Sequence, residues 1–400
     1  MGKLIQVLST AVLSVIGGII AIVNLETGFL AFMNTPSDPT AYIPCVSFLF
    51  AALMAYMSVK AHMNKDTAYI KKTVDDIKEQ TVENRVIVQG EAAKTRETIK
   101  QEVAKAVAEI TAKGQASGQS LTEPEIIDLE QTITKILDSK DARQNLAKDA
   151  LKAGNIDEAA SRFMGLGNQE GAASDDIGKS AAENFHIAGE LYYPFDTKKS
   201  LKAYVQAAKY DPNNFWTHIY LSRLYIRNGN LPNAVQSAQT AQAVAKNDRD
   251  KTVAMDEQGN IAVAQNDLKA ARQYFTDGLE IRGKLAEDDP SNAGYQRDLS
   301  VSYNKLGDVA VAQNDLKAAR QYFTDGLEIG GKLADTDPSN AGYQRDVGVS
   351  HYKLAGLGGK DAQEHWNAAY LVFKALDDAG KLLPADQKGL EFLRGKADVD

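Results

Sequence analysis

Residues 262–298 and 310–346 carry the same text displaced by 48 positions, agreeing at 34 of 37 and differing only at Arg282/Gly330, Glu287/Asp335 and Asp288/Thr336. A period of this size implies stacked supersecondary units, because one copy cannot bury its own apolar face and needs a neighbour against it. The chain of 400 residues is 44% hydrophobic and 24% charged, the composition of an ordinary folded protein. Stacked repeat units are therefore expected to make up the largest part of the fold.

The unit is most readable in the 34 residues 181–214. Large Ile187, small Ala188 and large Leu191 are followed by small Ser200, aromatic Tyr204, small Ala207 and Pro212. Small residues let two antiparallel helices approach, and the aromatic fills the gap to the next unit. This spacing resembles the tetratricopeptide repeat, which implies an all-α fold class with an α-solenoid as its largest part. It recurs at Leu146, Ala147, Ala150, Ala159 and Phe163, and at Leu221, Ser222, Tyr225, Ala234 and Ala241. Further copies stand at Gly259, Ala271, Phe275 and Gly278, at Leu306, Gly307, Ala319, Phe323 and Gly326, and more loosely at Leu354, Ala355, Ala369 and Phe373. About six repeats are thus expected over 140–383, with a capping helix and tail over 384–400. Gly154, Gly229, Asn266 and Asn314 mark tight turns before second helices. The two 48-residue units are longer than the usual repeat and resemble the kinesin-light-chain style, while unit three has Lys246 where proline is expected.

Upstream, 4–23 (LIQVLSTAVLSVIGGIIAIV) and 42–59 (YIPCVSFLFAALMAYMSV) are free of ionisable side chains apart from Tyr42, Tyr56 and Cys45. Either is long enough to cross ~30 Å of hydrocarbon as a helix. Lys residues flank the pair, and only acidic charges lie between the runs. The expectation is a transmembrane hairpin over 1–60 in the inner (plasma) membrane, multi-pass, with the soluble part in the cytoplasm. A cleaved signal peptide is the alternative for the first run and a buried helix for the second.

Residues 61–113 lack proline and contain only Gly90, which predicts one long helical stalk. Its apolar positions recur in threes and fours, and in 11-residue intervals from Ile70 to Thr81 and Val88 to Ile110, so the stalk can pair weakly as a coiled coil and give a homo-oligomer, or stand as a solvated single helix. A linker and leading helix should fill 114–139.

A net charge of −8 argues against nucleic acid as partner. The single cysteine excludes an internal disulfide and a paired-thiol zinc site. No HExxH, GxSxG or strand-borne GxGxxG is present, and the five histidines are scattered, so no catalytic residue, metal or cofactor is expected. The nearest approach to a phosphate loop is 173–180, ASDDIGKS, which has Ala173 where the first glycine belongs and reads instead as entry to a repeat helix.

What the resemblance implies is a groove lined by the first helix of each unit that holds a protein or peptide partner. On the family's geometry that groove includes Phe185, Tyr192, Tyr193, Trp216, Ile219, Arg223, Arg227, Asn304 and Asp308. Aromatic residues and arginine are common binding anchors, although Phe185 and Tyr192 equally suit packing between helices. The expected role is a membrane-anchored scaffold. The alternative is a regulatory or sensor subunit of a bacterial membrane signalling or defence assembly.

Overall fold

The computed structural model describes residues 53–54, 57, 67–171, 175–383 and 386–398. Among them, fifteen α-helices and a short 3-10 helix, Ala142–Gln144, make up the regular structure, with no strand. The chain divides into two compact units, 1–102 and 103–400.

Helix α1, Thr67–Ala116, runs for 50 residues and continues past Gly114, where a separate linker was expected. In the first unit its side chains Lys94, Arg96, Glu97, Thr98 and Lys100 are exposed, while Thr81 and Ile99 are half-buried. In the second unit its last turns are buried, Ile110 completely. There Lys113 donates to Asp157 at 2.6 Å and lies over the Phe195 ring.

The membrane placement is corrected by this structure. No helix among the described residues is long and apolar enough to cross a membrane. Helix α1 has the length but repeats Lys and Glu on nearly every turn, a composition that hydrocarbon rejects. The two-span, multi-pass inner-membrane assignment and the orientation built on it are therefore without support. Apart from residues 53, 54 and 57, the runs 4–23 and 42–59 lie outside the described residues.

After α2 (Glu123–Asp138) the second unit is a succession of helix pairs: α3 (Asn145–Lys152) with α4 (Ile156–Glu170), α5 (Asp175–Tyr192) with α6 (Thr197–Tyr210), and α7 (Phe215–Arg227) with α8 (Leu231–Val244). Then come α9 (Asp248–Ala264) with α10 (Leu268–Asp288), α11 (Ala293–Ala312) with α12 (Leu316–Thr336), and α13 (Ala341–Gly356) with α14 (Ala362–Asp378). Each helix packs on the next, so the apolar face that one pair leaves open is covered by its neighbour. Helix α15, Gln387–Arg394, ends the series by placing Leu390 and Leu393 on Tyr370, Phe373 and Leu376.

The core repeats with the sequence. Phe275 packs with Ala262, Ala271, Leu306 and Val309, and Phe323 with Ala310, Ala319 and Leu354, positions 48 residues further on. Each ring lies against a glycine of the facing helix: a Cβ on Gly259 would lie 2.4 Å from Phe275 Cε1, and one on Gly307 2.2 Å from Phe323 Cε1. Burying such a ring contributes about 2–3 kcal/mol. The turns before the second helices have left-handed backbone at Gly154, Gly229, Asn266 and Asn314. Asp267 and Asp315 then cap α10 and α12 by accepting from Ala270 N and Ala318 N, each at 3.0 Å. The added sequence of the 48-residue units lengthens the helices, to 21 residues in α10 and α12 against 14 in α6 and α8. Helix α8 stops at Val244 without a proline because Asn247 caps α9, accepting from Asp250 N at 2.8 Å.

Candidate functional site: the face of the first helices and its resident helix

The first helices α5, α7, α9, α11 and α13 form one face, and α2 lies on it. Pro124 at the second helical position suits a helix start, and Glu125 Oε2 accepts from Thr122 N at 2.8 Å, closing the first turn. Ile126, Leu129, Ile133 and Ile136 follow at steps of three, four and three, so they share one side of the helix, and all four are buried. Leu121, just before the helix, is buried as well.

The carboxylates of α2 meet the solenoid one by one. Glu123 accepts from Arg297 of α11, and its Oε1 stands where a side chain on Gly342 of α13 would go. Glu125 Oε1 accepts from the Tyr193 hydroxyl at 2.6 Å, with Arg227 at 3.6 Å and Arg223 at 3.8 Å. Asp128 Oδ2 accepts from the Tyr220 hydroxyl of α7 at 2.8 Å. Farther along, Thr132 donates to Glu190, and Lys135 pairs with Glu183, both on α5. Helix α2 therefore runs antiparallel to α5 and touches α5, α7 and α11 in turn. Only a concave face lets one 16-residue helix do so.

An aromatic floor supports these contacts. Tyr220 stacks on Tyr204 with centroids 5.0 Å apart and meets Tyr193 edge-on at 5.1 Å, while the Arg227 guanidinium lies 3.9 Å from the Tyr193 centroid. Burial, and then Glu125, drives the Tyr193 phenol above its ordinary range, so it stays a donor. Burial also raises the Asp128 carboxyl, against the hydrogen bond from Tyr220. Burial opposes the charge on Arg223, but Glu257, 2.9 Å away, together with Tyr193 and Glu125, outweighs it and keeps the guanidinium ionised.

The residues expected in the groove are not all brought together. Tyr193, Arg223 and Arg227 come together around Glu125. Phe185 and Ile219 are wholly buried: Phe185 packs with Ala181 and Ala207 and stacks on Tyr210, and Ile219 packs with Phe215, Ala241 and Ala254. Tyr192 points toward α4, its hydroxyl 2.8 Å from Ser161 Oγ. Trp216 is 43% exposed, edge-on to Phe215. Asn304 donates to Ser350 at 3.2 Å and Asp308 accepts from Lys353 at 2.5 Å, both linking α11 to α13. Tyr220, Glu190, Glu257 and Arg297 also belong to the face and were not anticipated. Tyr220 was legible as the neighbour of Ile219, one step around the helix. Arg297 lies in the long insertion, outside the repeat's usual register.

The stretch Gly178-Lys179-Ser180 sits within the first two turns of α5. Among the described residues no group of three or more His, Cys, Asp and Glu is placed to hold a metal ion.

Residues 301–329, spanning the C-terminal part of α11 and most of α12, match the family model described as tetratricopeptide repeat. No curated protein matches the sequence. Among solved structures, BtubC (BKLC) from P. vanneervenii is similar at 15% identity and TM-score 0.42, covering 59% of this chain and 90% of its own. PilF of Pseudomonas aeruginosa is similar at 16% identity and TM-score 0.32, covering 55% and 92% respectively. The Cut9-Hcn1 hetero-tetramer of APC/C is similar at 15% identity and TM-score 0.36, covering 91% and 58%. The family-model match supports a tetratricopeptide-repeat assignment for that segment. The structural likenesses, at these scores, carry no argument beyond it.

Proposed function

We propose that the protein is a scaffold that holds a protein or peptide partner in the concave face of its first helices. The observation that carries this reading is the convergence of Tyr193, Tyr220, Arg223 and Arg227 on a helix that is not part of any repeat pair. Buried aromatics beside arginine make a surface that grips a helix through both apolar and charged contacts.

The two long units support it. In 252–261 against 300–309 only Val253/Val301 and Gly259/Gly307 agree, whereas the second helices match almost throughout. A face that reads different features along a partner needs different residues at equivalent positions, while stacking tolerates copies. On this reading Tyr193, Trp216, Arg223, Arg227, Asn304 and Asp308 contact the partner, and Phe185, Tyr192 and Ile219 hold the helices that present them.

Site-specific photocrosslinking in the full chain tests this. A crosslinker at Trp216 should give one discrete adduct, and one at Lys269, on the first turn of α10, should give none. Adducts of equal yield from both positions would reject the groove as the binding face.

A further inference from the structure

The groove is not only occupied; its occupant shows what it selects. Arg223, Arg227 and Arg297 cluster at the end that receives the first turns of α2, although the chain as a whole carries a net charge of −8. Glu190 and Glu183 stand at the other end, against Thr132 and Lys135. The face thus has an electrostatic polarity. It favours a helix with carboxylates in its first two turns, an apolar stripe at the spacing of Ile126, Leu129, Ile133 and Ile136, and a cation or neutral donor near its end.

Two features separate α2 from the solenoid core. It is bounded on both sides by short non-helical segments, at 117–122 and 139–141, and pairs with no second helix of its own. Its contacts are also rich in charge. Glu125 is 7% exposed and satisfied only by hydroxyl, guanidinium and its own N-cap amide, whereas Phe275 and Phe323 sit among aliphatic side chains. Desolvating carboxylates offsets much of what their pairing gains, so these polar contacts specify register while the buried Leu121, Ile126, Leu129, Ile133 and Ile136 supply the stability. An interface of that kind can be exchanged for an equivalent one.

We propose that the groove is a receptor for an acidic-headed amphipathic helix presented by a protein partner, and that α2 is a resident copy which the partner's helix replaces. The proposal rests on the scaffold reading and adds the partner's chemistry and the manner of its entry. A tethered segment competes at an effective concentration in the millimolar range, so a free helix binds the intact chain only after overcoming that advantage. Release of α2 by a first contact elsewhere on the protein then raises the groove's affinity for the incoming helix.

The probe is a labelled peptide of residues 121–139, titrated into the full chain and into the same chain carrying Ile133→Asp, which loosens α2. The peptide should bind the Ile133→Asp chain at least about thirtyfold tighter than the unmodified chain, the loss expected when a central anchor competes or is removed. A peptide carrying Glu125→Gln and Asp128→Asn should lose most of that affinity, as should the Ile133→Asp chain with Arg223→Ala added. Equal binding to both chains, or no binding to an Ile133→Asp chain that keeps its helical circular dichroism, overturns the proposal. A stable dimer formed by exchange of α2 between two copies would also overturn it, since the occupant would then be this chain itself.

Should Ile133→Asp fail to fold, amide hydrogen exchange on the unmodified chain decides. Amides of residues 126–136 should exchange faster than those of α7, and faster still with excess peptide; protection equal to that of α7 in both conditions makes α2 permanent core. That outcome leaves crosslinking at Trp216 intact, so it rejects the exchange without rejecting the scaffold.

Discussion

Arg282 spans both carboxylate oxygens of Asp256, at 3.1 and 2.7 Å, inside the solenoid between α10 and α9. In the next unit the equivalent positions are Gly330 and Asn304, so that unit carries neither charge. Lys305 also donates to Asp256, at 2.7 Å, while its counterpart Lys353 turns to Asp308 instead. Burial works to raise the Asp256 carboxyl, but Lys305 and Arg282 outweigh it and hold it below the ordinary carboxylate range. We predict that Asp256→Asn alone costs about 3–5 kcal/mol, because Arg282 is left buried without its counter-ion. Adding Arg282→Met to that variant should recover part of the loss, with a coupling of roughly 1 kcal/mol or more. Urea unfolding of the two singles and the double checks this; additive effects would mean the pair acts as two independent residues.

The glycine opposite each core aromatic sets a second expectation. A methyl group on Gly307 has no room beside Phe323, whose ring would have to leave its rotamer, and Gly259 stands in the same relation to Phe275. Gly307→Ala should therefore destabilise by roughly 1–3 kcal/mol despite alanine's better helix propensity. Phe323→Ala should cost about 3–5 kcal/mol by leaving a cavity. Thermal melting distinguishes the cases: a gain in stability for Gly307→Ala would show that the ring is not locked.

Backbone conformation gives a third. Asn266 and Asn314 have φ of 58° and 60°, a region that asparagine tolerates and branched side chains do not. Asn314→Val should lower stability by about 1–2 kcal/mol, whereas Asn314→Gly should leave it nearly unchanged. Denaturant midpoints for the two variants suffice, and equal midpoints would contradict the turn geometry.

A fourth concerns pH. His351 Nδ1 and His365 Nδ1 are 2.9 Å apart between α13 and α14. Burial first, and then His365, lowers the His351 pKa to about 4. Its unfolded value is about 6.5, so the unfolded chain binds this proton first. The stabilising contribution is complete above pH ~6.5 and is lost as pH falls toward ~4, by roughly 2–3 kcal/mol in all. His351→Asn should flatten the stability profile across that window; an unchanged slope would place the titration elsewhere.

The amino-acid sequence alone determined the repeat and its register. The identities at Ala271/Ala319 and Phe275/Phe323, and the turn residues Gly154, Gly229, Asn266 and Asn314, are local signals, and the structure places them as their spacing implies. Such signals are legible because each is satisfied within one unit or against the next. What only the tertiary structure decided is which side chains face one another over long separations. Tyr193 meets Glu125 across 68 residues and Arg297 meets Glu123 across 174. Periodicity marks α2 as amphipathic but says nothing of the surface that covers it, and repeat position alone assigned Phe185 and Ile219 to a groove when they lie in the core. The apolar runs gave a membrane reading from composition, and no described helix supports it. A helix's own pattern fixes which side it must bury, whereas the partner that buries it depends on how the whole solenoid curves.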